Sequence, residues 1–208
     1  MSKLTRIYKS MSNESGSIYY TSISVNDVEA VAEIHRTSLD VGILLNNFGT
    51  NFLVRMYFAI IQKGSNFGYV AKLDGKAVGF IIGSVEEISF TRCLDLFSVL
   101  IFLLNCLRTP HLLFSTVTVF LKTSNKKERV DDVEISHFAV DKKFRGLGVG
   151  SELISLIEQK ASEDGFKTIS TRTYNERLIT YYCKQKKAAE VGRFHISKNA
   201  YVTLRWNL

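Results

Sequence analysis

One proline, Pro110, stands in 208 residues, and the three cysteines, Cys93, Cys106 and Cys183, lie far apart with no C-x-x-C spacing. That usage excludes a disulfide framework, and four scattered histidines supply no zinc set. A reduced, cytoplasmic, metal-free protein is expected. Long apolar runs are also scarce. The exception is "LDLFSVLIFLLNCLRTPHLLFSTVTVFL", 94–121, broken at Arg108-Thr109-Pro110-His111. Neither half reaches the ~20 apolar residues that span a bilayer. Asp95, Asn105 and Arg108 also sit in or beside the run. Two amphipathic or buried helices are expected and membrane contact is not, with a peripheral membrane or dimer surface as the alternative. The first sixteen residues, "MSKLTRIYKSMSNESG", have no apolar core, so they read as a basic, mobile leader and not as a secretory signal.

Charge of one sign is in surplus: the formal net charge is +7. Nucleic-acid proteins of this size gather Lys, Arg and aromatics into one segment. Here the basic runs are short: "KTSNKKER" at 122–129, "DKKFR" at 141–145 and "KQKK" at 184–187. Each alone is a solvated face, so no nucleic-acid partner is expected and the surplus favours small anionic ligands.

Along the chain, "SIYYTSIS" (17–24) reads as a strand, and Ser24 with Asp27 opens a helix through "VEAVAEIHRTSL". A loop around 42–51 precedes a second helix, "FLVRMYFAIIQK". Asp74-Gly75 then joins two strands as a hairpin. "VEISHFAV" (133–140) is a strand, "GSELISLIEQKASEDG" a helix, "KTISTRTYN" a strand, "RLITYYCKQKK" a helix and "YVTLRWNL" a final strand. The order is that of an α/β (α+β) protein.

Three glycines, Gly146, Gly148 and Gly150, cluster where the 133–140 strand passes into a helix. The first amides of a helix lack internal partners and the dipole is positive there, so an anion is welcome. No lysine follows Gly150, which excludes a nucleotide P-loop, and G-x-G-x-G is not the dinucleotide G-x-G-x-x-G. The pattern [Q/R]-x-x-G-x-[G/A] does fit, as Arg145-Gly146-Leu147-Gly148-Val149-Gly150.

With that loop the sequence resembles the GCN5-related N-acetyltransferase (GNAT) superfamily. Asn175 at a strand end and Tyr182 seven residues later resemble the second signature, although Lys186-Lys187 replace the usual Gly-Phe. The resemblance covers roughly 17–208, is strongest over 133–184, and makes 90–122 an apolar helical insertion before the central strand. It implies a single domain with a mixed, mostly antiparallel twisted sheet flanked by helices. It also implies acyl-coenzyme A as co-substrate, carrying acetyl or a somewhat longer acyl chain, and transfer to an amine with no metal.

The resemblance implies that Phe138, Ala139 and Val140 offer main-chain bonds to the pantetheine arm. Arg145, Gly146, Leu147, Gly148, Val149, Gly150 and Ser151 would cradle the pyrophosphate, and Asn175 would also contact the coenzyme. Glu134 is the candidate general base, with an edge-of-strand surface charge as the alternative. Strand alternation puts it on the face of Phe138 and puts His137 opposite, so His137 reads as structural. Tyr182 is the candidate general acid, and Tyr181 is its neighbour and competitor. His35 reads as incidental and Cys183 as a small buried thiol. Coenzyme A accounts for part of the positive surplus. An acidic cleft would suit a histone tail or polyamine, so the surplus favours an anionic acceptor, a nucleotide-linked amino sugar for surface polysaccharide. The alternatives are a protein, peptide or polyamine N-acetyltransferase and a non-catalytic coenzyme A-binding or membrane-associated module; a homodimer is compatible with either.

Overall fold

The computed structural model describes residues 6–8, 17–39, 48–85, 96–108, 132–196 and 199–208. Among these residues eight strands form one sheet: β1 (Arg6–Tyr8), β2 (Ile18–Ser22), β3 (Asn66–Leu73), β4 (Lys76–Ser84), β5 (Asp132–Val140), β6 (Thr168–Thr173), β7 (Ala189–Ile196) and β8 (Asn199–Asn207). Among the described residues five α-helices accompany them: α1 (Val28–Ser38), α2 (Thr50–Gln62), α3 (Leu96–Arg108), α4 (Val149–Glu163) and α5 (Glu176–Gln185). The strand order is β1-β2-β3-β4-β5-β6-β8-β7. Every neighbouring pair is antiparallel except β5 and β6, which run parallel.

The sheet begins within the stretch read as a leader, because Arg6–Tyr8 pairs with Ile18–Tyr20; the rest of that leader lies outside the described residues. Asp74 and Gly75 both have positive φ, which matches the twist of the two strands they join. Ser24 starts the first helical segment as expected, its amide and hydroxyl both donating to Asp27 Oδ2 at 2.9 and 2.8 Å. In β4, Phe80 and Ile82 face one way and Ile81 the other, so successive residues serve two cores. The first core joins α1 and α2, through Val31, Ala32, Leu53, Met56 and Tyr57, to Phe80, Ile82 and Ala139. The second joins α4, through Val149, Leu153, Ile154 and Ile157, to Ile81, Val133, Ile135 and Trp206. Each such fully buried aliphatic side chain contributes roughly 1.5–3 kcal/mol. The sheet is thereby fixed between two helical layers, and its middle strands carry the site.

Of the two helices expected in the apolar insertion, the first is α3, and the second lies outside the described residues.

Candidate active site

The parallel register of β5 with β6 runs only from Asp132↔Thr168 to Ile135↔Thr171. β5 continues to Val140 beside β4 alone, while β6 stays with β8, so the two strands diverge. The main chain of Phe138 and Ala139 borders this wedge. Val140 ends it, and its carbonyl already accepts a bond from Arg145 Nε at 3.0 Å.

A bulge changes which side chains meet there. β4 pairs Ile82 with His137 but Gly83 with Ile135, leaving Ser136 as an extra residue. Strict alternation therefore fails, and the expected faces are corrected. Val133, Ile135 and Phe138 pack toward the α4 core, whereas His137 packs on Tyr57 of α2, with ring centroids 5.4 Å apart. Glu134, between Val133 and Ile135, thus shares a face with His137 and not with Phe138. Its carboxylate is ion-paired with Arg172 of β6, whose Nε donates to Oε1 at 2.7 Å.

The glycine loop is built for two different reasons. Gly146 and Gly148 have φ near +80°, where a side chain is strained, and a Cβ on either would meet nothing within 4 Å. Gly150 has no such φ, but its Cβ would stand 3.0 Å from the Phe138 ring. Gly148 caps α4, so the orphan amides of the first turn open toward the cleared space. That space, the free amides and the dipole fit a pyrophosphate. Val149 is buried, so only its main chain is available, while Leu147 and Ser151 are exposed. Arg145 Nη2 also donates to the Ser38 carbonyl at 3.0 Å, tying the loop to the end of α1. Asn175 Oδ1 accepts from Arg177 N at 3.0 Å and Leu178 N at 3.3 Å, so this side chain caps α5.

Tyr182 lies in the α4-side core, stacked on Trp206 at 5.0 Å, and Tyr181 meets it edge-on. Burial, with Tyr181 and Glu158 nearby, raises its phenol well above the ordinary value, so it stays protonated. Lys186, where glycine is usual in the resembling family, bonds Glu158 Oε2 at 2.6 Å, and Trp206 Nε1 donates to Glu158 Oε1 at 2.9 Å. The turn is completed by Lys187 at φ 53°. Cys183 is exposed, contrary to the expectation of a buried thiol, because it lies on the outer face of α5.

Three features escaped sequence reasoning. The Arg172 pair spans strands 38 residues apart. His35, read as incidental, places Nδ1 2.6 Å from the Tyr57 hydroxyl and lies 6.0 Å from His137, ring to ring. Burial lowers His35 to about 4; burial, with His35 and Arg172 nearby, lowers His137 to about 3. Both imidazoles are neutral near pH 7, hydrogen-bonding groups and not cations. The third feature is an aromatic ladder beyond Arg172. Tyr174 contacts Tyr201 at 5.2 Å, and Tyr201 stacks on Phe194 at 5.3 Å. Val202, Leu204 and Trp206 of β8 serve the α4 core, so Tyr201 projects to the face of Arg172. Among the described residues no group of three or more His, Cys, Asp or Glu could hold a metal ion.

The profile of the Acetyltransferase (GNAT) family matches residues 31–185. Among solved structures, the chain is similar to the PaiA N-acetyltransferase of Thermoplasma acidophilum in complex with coenzyme A. Identity is 13%, coverage is 92% of this chain and 99% of that one, and the TM-score is 0.57. The ribosomal-protein-S18-alanine N-acetyltransferase of Escherichia coli is 12% identical over 91% and 93% of the two chains, with TM-score 0.57. The IAA acetyltransferase of Bacillus cereus is 13% identical over 92% and 100%, with TM-score 0.54. Among curated proteins no sequence matches. A family match over most of the chain, on a fold that opens β5 from β6 above a glycine-capped helix, makes this protein a member of the GNAT family and an acyl-coenzyme A-dependent N-acyltransferase.

Proposed function

We propose that the protein transfers an acyl group, acetyl or slightly longer, from acyl-coenzyme A directly to the amino group of a nucleotide-linked amino sugar. The observation that supports the catalytic part is the wedge where β5 leaves β6, with Glu134 on the α2-side face of β5 and Tyr182 in the core on the α4 side of the sheet. An amine approaching from one face and a thiol leaving on the other would meet those groups in that order. The coenzyme, when bound, supplies a thioester carbonyl already activated toward amines.

The chain's own residues then divide the work. The main chain of Phe138 and Ala139 orients the pantetheine arm, with Val140 at the end of the same run. The loop amides of Gly146 to Ser151 hold the pyrophosphate, and Leu147 and Val149 take part through their backbones. Arg145 braces this loop from the α1 end, and Asn175 contributes by setting the start of α5 and through its amide nitrogen. Glu134, positioned by Arg172, takes the proton that the amine loses, directly or through a water. Tyr182 returns a proton to the departing sulfur, and its raised phenol is in the form a donor requires. The acceptor reading rests on the ladder of Tyr174, Tyr201 and Phe194, an aromatic cluster on the face of Arg172, and on the net charge of +7. An acceptor carrying a diphosphate suits that balance.

The test is thiol release by the purified protein, with acetyl- and 3-hydroxybutyryl-coenzyme A against a panel of nucleotide-linked amino sugars, polyamines and lysine peptides. Turnover confined to one sugar nucleotide supports the reading. Activity on peptides or polyamines alone discards the acceptor and leaves the acyl transfer in place.

A further inference from the structure

α3 faces the wrong way for a helix that only fills a core. Its inner side is narrow. Ser98 accepts from Arg55 Nη2 of α2 at 2.6 Å, and Phe102 stacks on Phe48 at 4.4 Å. Phe102 and Cys106 make a small cluster that Phe48, 4.9 Å from Phe52 ring to ring, joins to the α1–α2 core. The outer side carries Leu96, Phe97, Leu100, Leu103, Leu104 and Leu107, each 50% to 86% exposed. At about 100° per residue these six fall within about a third of the helix circumference, so they form one continuous stripe. No carboxylate occurs anywhere in α3, and its sole charge is Arg108 at the carboxyl end.

We propose that this stripe docks the protein onto an anionic lipid bilayer, with α3 lying flat in the interface. The helix has 13 residues, about 20 Å of length, well short of the roughly 30 Å hydrocarbon core, so it rests in the surface and does not cross. Among the described residues no helix is long and apolar enough to cross a membrane. A second copy of the chain is the poorer occupant. A stable pairwise interface takes about 20–30 residues and about 800 Å² from each partner, and six side chains on under four turns fall far short. A bilayer sets no such minimum. It takes up leucine and phenylalanine side chains from one face, and its anionic headgroups attract a protein of net charge +7. Because α3 is fastened to α2, the docked surface lies on the helical layer that carries Tyr57 and His35, not on that of α4.

The test is flotation of the full-length protein with vesicles of phosphatidylcholine and phosphatidylglycerol at three to one, beside vesicles of phosphatidylcholine alone. Wild type should float with the anionic vesicles. The double variant Leu100→Glu/Leu104→Glu should lose at least tenfold of the bound fraction while keeping its coenzyme A affinity and melting temperature. Both positions are exposed, so the variant is expected to fold. Failure of wild type to float overturns the proposal, as does equal binding to both vesicle types. A lowered melting temperature in the variant would mean that the chain itself covers the stripe, and a dimer mass that the variant halves would assign it to a second copy. None of these readouts involves acceptor turnover, so the proposal stands or falls apart from the acceptor named above.

Discussion

At the scale of single residues, the roles proposed for Gly148 and Tyr182 can be tested apart, one by binding and the other by turnover. Gly148 combines a φ of 80°, a capping position and open space where a Cβ would project. Gly148→Glu imposes roughly 1–2 kcal/mol of backbone strain. It also puts a carboxylate where the structure leaves room for a pyrophosphate. The expected result in calorimetry is loss of coenzyme A binding with the fold retained, and micromolar binding by the variant would refute the phosphate assignment. Tyr182→Phe keeps the ring on Trp206 and removes the one proton a donor could give. Turnover should fall by about 10²–10⁴, the usual worth of a general acid. Coenzyme affinity should hardly move. Unchanged turnover with an unchanged pH–rate profile would take Tyr182 out of the mechanism and leave it as a packing residue.

Arg145 acts between elements. Its two bonds run to the last residue of β5 and the last residue of α1, so one guanidinium braces the glycine loop against both. Arg145→Ala should cost about 1 kcal/mol of stability, since the group is exposed on one side. It should also weaken coenzyme binding by releasing the loop. Arg145→Lys should recover little, because a point charge cannot serve two carbonyls set for a fork. Denaturant midpoints and coenzyme titrations on the two variants check this; a fully active lysine variant would sink the idea of a brace. The elements that position this loop were largely legible, because β5, α4 and α5 carry apolar periods between glycine and asparagine signals and β6, "TISTRT", is rich in β-branched residues. β7 was missed: its stretch, Ala189–Ile196, holds Glu190, Gly192 and Arg193, and an exposed edge strand need not alternate. The bulge at Ser136 was invisible as well, since an extra residue leaves the hydrophobic pattern of "VEISHFAV" unchanged while turning His137 to the other face. Asn175 and Tyr182 were singled out by the family resemblance; that this asparagine caps a helix and this tyrosine lies in the core needed three dimensions.

For the whole molecule the paired histidines set a pH limit. His35 is held at about 4 by burial, and His137 at about 3 by burial with His35 and Arg172 nearby, both below the ordinary 6.5. The unfolded chain therefore takes up protons first as pH falls, so stability rises with pH across the window and is lost on acidification. The loss begins near pH 6.5 and continues to about 4 for His35 and about 3 for His137. His35 alone costs roughly 2 kcal/mol between about pH 7 and pH 5. Asp27 has a different window. Burial pushes its carboxyl up, but hydrogen bonds from Lys72 and Ser24 outweigh this and hold it below 3.8. Its contribution is present above the ordinary carboxylate range and disappears only under more acid conditions. Wild type should thus lose its first stability in the histidine range, well before the carboxylates titrate. Guanidinium midpoints at about pH 7.5 and pH 5 measure the effect, with His35→Gln as the comparison, since glutamine can still meet the Tyr57 hydroxyl without titrating. A variant as acid-sensitive as wild type would show that His35 is not the group. A wild type with equal midpoints at both pH values would mean that neither imidazole is held neutral by the fold.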